Sequence, residues 1–62
     1  MAEMDNYRAV SIAEGTEDAD YDTTVEAWQH LHDTGLAYEL QGFFGRTAAD
    51  LIERGIIKEK LT

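Results

Sequence analysis

The sequence predicts a small all-α domain. Three observations carry that expectation. Apolar residues recur at helical spacing from Leu36 to Leu51. Gly15, Gly35 and Gly55 fall where helices would stop, and the chain holds no proline to punctuate it otherwise. No stretch alternates strongly enough to supply two strands that could pair. The expected architecture is a helical hairpin, about 23–34 and 36–54, preceded by a short N-terminal helix and an acidic linker. At 62 residues, residues 1–62 are expected to form a single small helical domain.

The first unit is Asp5-Asn-Tyr-Arg-Ala-Val-Ser-Ile-Ala-Glu14. Asp5 or Asn6 can cap it, and Gly15 can close it in the left-handed conformation. Tyr7, Val10 and Ala13 or Glu14 keep helical spacing. Arg8, Val10 and Ile12 would alternate equally well as a strand. A lone strand has no partner in this chain, so a helix is favoured.

The second unit opens on Thr23-Thr-Val-Glu26, which reads as a capping box: Thr23 would accept from the amide of Glu26, whose carboxylate would reach back. The predicted helix runs from Thr24 to about Thr34, with Gly35 beyond its end. Val25, Trp28, Leu31 and His32 share a face, and Trp28 is the largest apolar body available to anchor a core.

The third unit spans Leu36 to Arg54. Leu36, Leu40, Phe43 or Phe44, Thr47 or Ala48, and Leu51 form its apolar stripe. Core positions are therefore assigned to Trp28, Leu31, Leu36, Leu40, Phe44 and Leu51. Beside the stripe runs a second series, Tyr38, Gly42, Gly45 and Ala49, mostly small, which would form a groove for another helix. Two interior glycines cost about 1 kcal/mol each relative to alanine, which implies close packing or a break. A continuous helix and one broken by a turn at Gly42–Arg46, with Thr47 capping a fresh helix, both fit. Past Gly55, Ile57 is placed to fold back on the last helical turn, and the tail from Lys58 is expected to fray.

Composition narrows the function. The formal charge is −8, of which −6 falls in residues 1–22 and −2 in the remainder. An acidic chain is repelled by phosphate backbones, so nucleic-acid binding is disfavoured. The cluster Glu17, Asp18, Asp20 and Asp22 suits a basic protein surface, or serves as a solvated linker that keeps the protein soluble. No cysteine is present, which removes disulfides and thiolate metal sites. No apolar run is long enough to span a membrane. The N-terminus carries acid where a signal peptide carries base, so secretion is not expected.

Candidate chemistry is sparse. His30 and His32 are two residues apart and diverge on a helix. Glu26 and His30 share a face but make two ligands, where zinc needs three or four, so neither metal nor cofactor is expected. No serine or cysteine stands beside a histidine, and no enzyme activity is expected. Gly42-Phe-Phe-Gly45-Arg46 superficially resembles a phosphate-cradling or KH-type glycine loop, but the central phenylalanines favour burial. Arg46 is assigned first to an ion pair with Asp50 one turn on. A contact with a protein partner comes second, and a phosphate third. The hairpin as a helix-turn-helix would present Arg46 and Arg54 against Asp50 and Glu53, a poor reader of DNA.

Gln29, Leu31, Asp33-Thr-Gly-Leu36, Leu40-Gln-Gly42, the aromatic Phe44, Gly45-Arg46, Ala48, and Leu51-Ile52 before Gly55 together resemble the pattern of a family of short proteins from bacteriophages and related mobile elements. The resemblance covers about half the chain, with a looser match around Ala13-Glu14-Gly15. It implies a phage or mobile-element origin and action in the host cytoplasm. It brings no activity and transfers no catalytic or binding residue. The leading expectation is a small acidic phage-encoded accessory protein that binds a host or phage protein without catalysis, with Glu17, Asp18, Asp20, Asp22 and Arg46 as contact groups and a homodimer as a possible state. A version of it is nucleic-acid mimicry, with carboxylates repeating along one face as phosphates do along a strand. The alternative is a dimeric nucleic-acid-binding regulator.

Overall fold

The fold is taken from a computed structural model, which describes residues 4–40 and 42–59. It contains three α-helices: α1 (Asn6–Glu14), α2 (Tyr21–Asp33) and α3 (Gly42–Glu53). A 3-10 turn, Leu36–Tyr38, lies between α2 and α3. No strand occurs among the described residues, so residues 5–14 take the helical alternative.

α1 is capped by the Asp5 carboxylate, which accepts from the Arg8 amide at 2.7 Å and satisfies one of the orphan donors of a helix start. It buries Ala9 and Ile12. Tyr7 is 84% exposed, so the face turned inward differs from the expected Tyr7–Val10 face. Ala9 is small enough to let α1 approach α2 closely, and that contact sets the rotation of the helix.

α2 begins earlier than the capping-box reading placed it. Its cap is Asp20, whose Oδ1 accepts from the Thr23 amide at 2.8 Å. Thr23 is thus the donor in the first turn, and its hydroxyl is not the cap. A carboxylate at an N-cap complements the helix dipole, and moving the start to Tyr21 adds a turn. The acidic linker shortens accordingly, because Asp22 lies within the helix.

The single second helix expected over 36–54 is also corrected. α2 ends at Thr34 and a left-handed Gly35 with φ 79°, a conformation that costs a residue with Cβ about 1–2 kcal/mol. The chain then makes the 3-10 turn, with Tyr38 N–H donating to the Gly35 carbonyl at 3.1 Å. The break precedes Gly42, and Gly42–Arg46 is the first part of α3, not a turn. Gly42 stands where a helix needs no amide acceptor, so its poor interior propensity is spared. Gly45 is a packing position: a Cβ there would lie 3.6 Å from Tyr38 Cδ1 and 3.7 Å from the Ala37 carbonyl oxygen. The 3-10 turn rests on α3 at this glycine.

α3 closes at Gly55 with φ 75°. Ile56 N–H donates to the Leu51 carbonyl at 2.9 Å, and Gly55 N–H to that of Ile52 at 3.0 Å. This paired closure folds the chain back, and Ile57 enters the core as expected, at 2% exposure. The tail does not fray at Lys58. Its N–H donates to Gln29 Oε1 at 2.7 Å, and its carbonyl accepts from Gln29 Nε2 at 2.8 Å.

The core consists of Ala9, Ile12, Ala27, Trp28, Leu31, Ala37, Phe44, Ala48 and Ile57. Trp28, Leu31 and Phe44 are buried as expected, whereas Leu36, Leu40 and Leu51 are partly buried at its edge. Four alanines take central places, because short helices crossing in so small a volume need small residues at the crossing points. Leu31 is fully buried, and Leu31→Ala should cost about 3 kcal/mol. A domain of this size has about 3–9 kcal/mol in total. A thermal melt followed by circular dichroism should show the midpoint lowered by about 12–24 °C.

Candidate functional site

Residues 28–32 of α2 fix the surroundings of the candidate site. Trp28 meets Phe43 edge-on, with ring centroids 6.2 Å apart, and Phe44 at 5.8 Å. Gln29 clamps the Lys58 backbone. The His30 imidazole Nε2–H donates to Asn6 Oδ1 at 2.7 Å, which ties α2 to α1. His32 Nδ1 and the Tyr38 hydroxyl are hydrogen-bonded at 2.6 Å, which ties α2 to the 3-10 turn. Partial burial, then the negative charge of Glu59, raises the Tyr38 phenol above its usual pKa, so the hydroxyl keeps its proton. Both histidines therefore act as struts. The partner of His30 is Asn6, and not Glu26, the residue that shares its helical face.

On the opposite side of α2 lies an open groove of about 410 Å³, lined by Met4, Asp22, Val25, Glu26, Gln29, His30 and Asp33. Met4 and Val25 are half-buried, and Asp22, Glu26 and Asp33 are exposed. The groove is an apolar strip between carboxylates, with His30 the only basic side chain among the described residues that line it. Asp33 accepts from Gln29 Nε2 at 2.9 Å. Asp22 and Glu26 are one helical step apart, a like-charge pair that an isolated helix would disfavour by a few tenths of a kcal/mol. Among the described residues, no three His, Asp or Glu side chains form a set that could hold a metal ion.

The contact residues expected from sequence are divided by the fold. Glu17 is engaged: its Oε2 pairs with Arg8 Nε at 2.9 Å, which fastens the linker to α1. Asp20 is engaged as the α2 cap. Asp18 and Asp22 are exposed, and Asp22 is the one of the four that lines the groove. Arg46 stands apart on α3. Its expected partner, Asp50, instead pairs with Arg54 at 2.7 Å. Arg54 follows Asp50 with the acid on the N-terminal side, the favourable order on a helix. Glu26, Val25 and Met4 were missed as site residues. The i, i+4 recurrence of Asp22 and Glu26 was the available signal, hidden while Asp22 was assigned to a linker.

Two short helices and a 3-10 turn packed on a central helix with an acidic outer face define a small helical domain with surface-borne features. The chain belongs to the family described as Domain of unknown function (DUF7417), whose model matches residues 1–62. No curated protein and no solved structure matches it. No helix among the described residues is long and apolar enough to cross a membrane.

Asp20 offers a test of the local electrostatics. The Thr23 backbone amide, and then its side chain, hydrogen-bond the carboxylate and lower its pKa below the ordinary aspartate value. A folded-state pKa held below the unfolded one contributes stability above the unfolded pKa, and that contribution is lost as pH falls through the folded value. Asp20→Ala should therefore lower the thermal midpoint at neutral pH. The gap from wild type should close as pH falls below about 4, the ordinary aspartate pKa. Melts at a series of pH values read both effects.

Proposed function

We propose that this protein is a small phage-encoded accessory factor that binds another protein through the outer face of α2 and performs no catalysis. The observation that carries the reading is the groove itself, in which Met4 and Val25 stand beside the exposed carboxylates of Asp22 and Glu26. Protein interfaces join an apolar centre to a polar rim. A surface of one sign steers and selects a partner of the other. With a chain charge of −8, the fitting partner is a basic protein surface bearing an apolar side chain. Asp18, exposed on the linker before α2, extends the acidic field.

The phage origin is supported by the residue pattern from Gln29 to Gly55, and a cytoplasmic site of action follows from that origin. A non-catalytic role is supported by the use of both histidines as struts and by a groove too open to exclude water from a reacting group. Mimicry of a nucleic-acid backbone has less support. The carboxylate repeat along α2 runs from Asp22 to Glu26 and then meets His30, so a basic protein surface in general is the better fit.

The test is site-specific photo-crosslinking in infected host cells, with the reactive residue at Val25 and a control at the exposed Tyr7. The expected result is one protein adduct from Val25, weakened about tenfold by D22N/E26Q, as for loss of close interfacial charge pairs, and none from Tyr7. No adduct from Val25, an adduct indifferent to D22N/E26Q, or an adduct with nucleic acid contradicts the proposal.

A further inference from the structure

α3 turns a second, separate face to solvent. Gly42, Arg46, Ala49 and Glu53 are all exposed. At 100° per residue they fall in a stripe about 60° wide, opposite the buried Phe44 and Ala48. The Arg46 guanidinium lies over Gly42, where an added Cβ would come within 3.2 Å of Nη1. Arg46 forms no ion pair with any described residue, and the nearest carboxylate on its helix, Asp50, is held by Arg54. A half-exposed aromatic flanks each side of α3 near its start. Tyr38, 51% exposed, lies against Gly45, and Phe43, 42% exposed, packs edge-on against Trp28.

We infer that this face of α3 is an interface with a second copy of the chain. Its charges are their own complement. Arg46 and Glu53 are seven residues apart, about 10.5 Å along the axis, with Ala49 near the midpoint. An antiparallel α3 from a second copy, related by a twofold axis passing by Ala49, brings each Arg46 against the other copy's Glu53. One contact thereby occurs twice, as in any isologous interface. A parallel arrangement would set arginine against arginine. Ala49, beside the crossing point, presents little bulk, so the two helices can approach to about 8 Å there, the close end of helix packing. A domain too small to bury much surface alone gains cover in this way. The net charge of −8 on each copy opposes association, which makes the dimer one of modest, micromolar affinity.

Sedimentation equilibrium over the micromolar range tests this by charge reversal. Both positions are exposed, and circular dichroism checks that each variant keeps its helices. Wild type should dimerise, and R46E and E53R should each weaken association about tenfold, as for loss of close interfacial charge pairs. The double variant R46E/E53R should return to within about threefold of wild type, because the pair is restored with its signs exchanged. A wild type that stays monomeric throughout, single reversals without effect, or a double variant no tighter than the singles each overturns the inference. None of these outcomes bears on the α2 groove.

Discussion

The packing of other elements against the apolar face of α2 is the constraint on which the rest of the structure depends. Ala27, Trp28 and Leu31 supply that face. α1, the 3-10 turn and α3 all pack on α2. A helix of 9–13 residues is marginal alone in water, so each needs this shared surface to persist. Polar struts then fix orientation. Gln29 holds the C-terminal segment, His30 holds α1, and His32 holds the 3-10 turn. Leu31, fully buried, sits among these three residues. One short run of α2 thus meets every other part of the molecule, through apolar contacts on one side and hydrogen bonds at its margins.

The same helix also turns a face outward, and Gln29 and His30 border it. Asp22 and Glu26 lie there beside Met4 and Val25. As a like-charge pair they oppose one another on α2, although Asp22, in the first turn, also complements the helix dipole. The proposed binding of a protein partner rests on this face, where apolar surface lies beside exposed carboxylates. The division explains why the acidic residues do not act as one cluster. Glu17 and Asp20 hold the entry to α2, through Arg8 and Thr23, and so position the acids that face outward.

Much of the fold was legible in the sequence because it rests on local chemistry. Gly15, Gly35 and Gly55 mark helix ends since each adopts positive φ. Trp28, Leu31 and Phe44 were identifiable as core by bulk and spacing, and Ile57 by its distance past Gly55. What was hidden depends on contacts between elements. The apolar period from Leu36 to Leu51 runs unbroken across the 3-10 turn, so periodicity could not reveal the break before Gly42, where Ala37 and Tyr38 lie beside Gly45. Asp20 was overlooked as a cap because Thr23-Thr-Val-Glu26 offered a competing one, and the choice reflects the stronger acceptor. The partners of Gln29 and His30 lie 29 and 24 residues away, beyond any local pattern. For the candidate site, Asp18 and Asp22 were within reach of a charge argument. The groove was not, since it forms only when α2 starts at Tyr21 and Met4 is laid beside Val25.

The central claim is that α2 is the element on which all others are built, and amide hydrogen exchange measured by NMR tests it most directly. The account predicts that the amides of Ala27, Trp28 and Leu31 exchange slowest in the molecule, only through global unfolding. Those of α1 and α3 should exchange at the same rate or faster. If the slowest amides lie in α1 or α3 while those of Ala27–Leu31 exchange through a lower-energy opening, the α2-centred account is wrong.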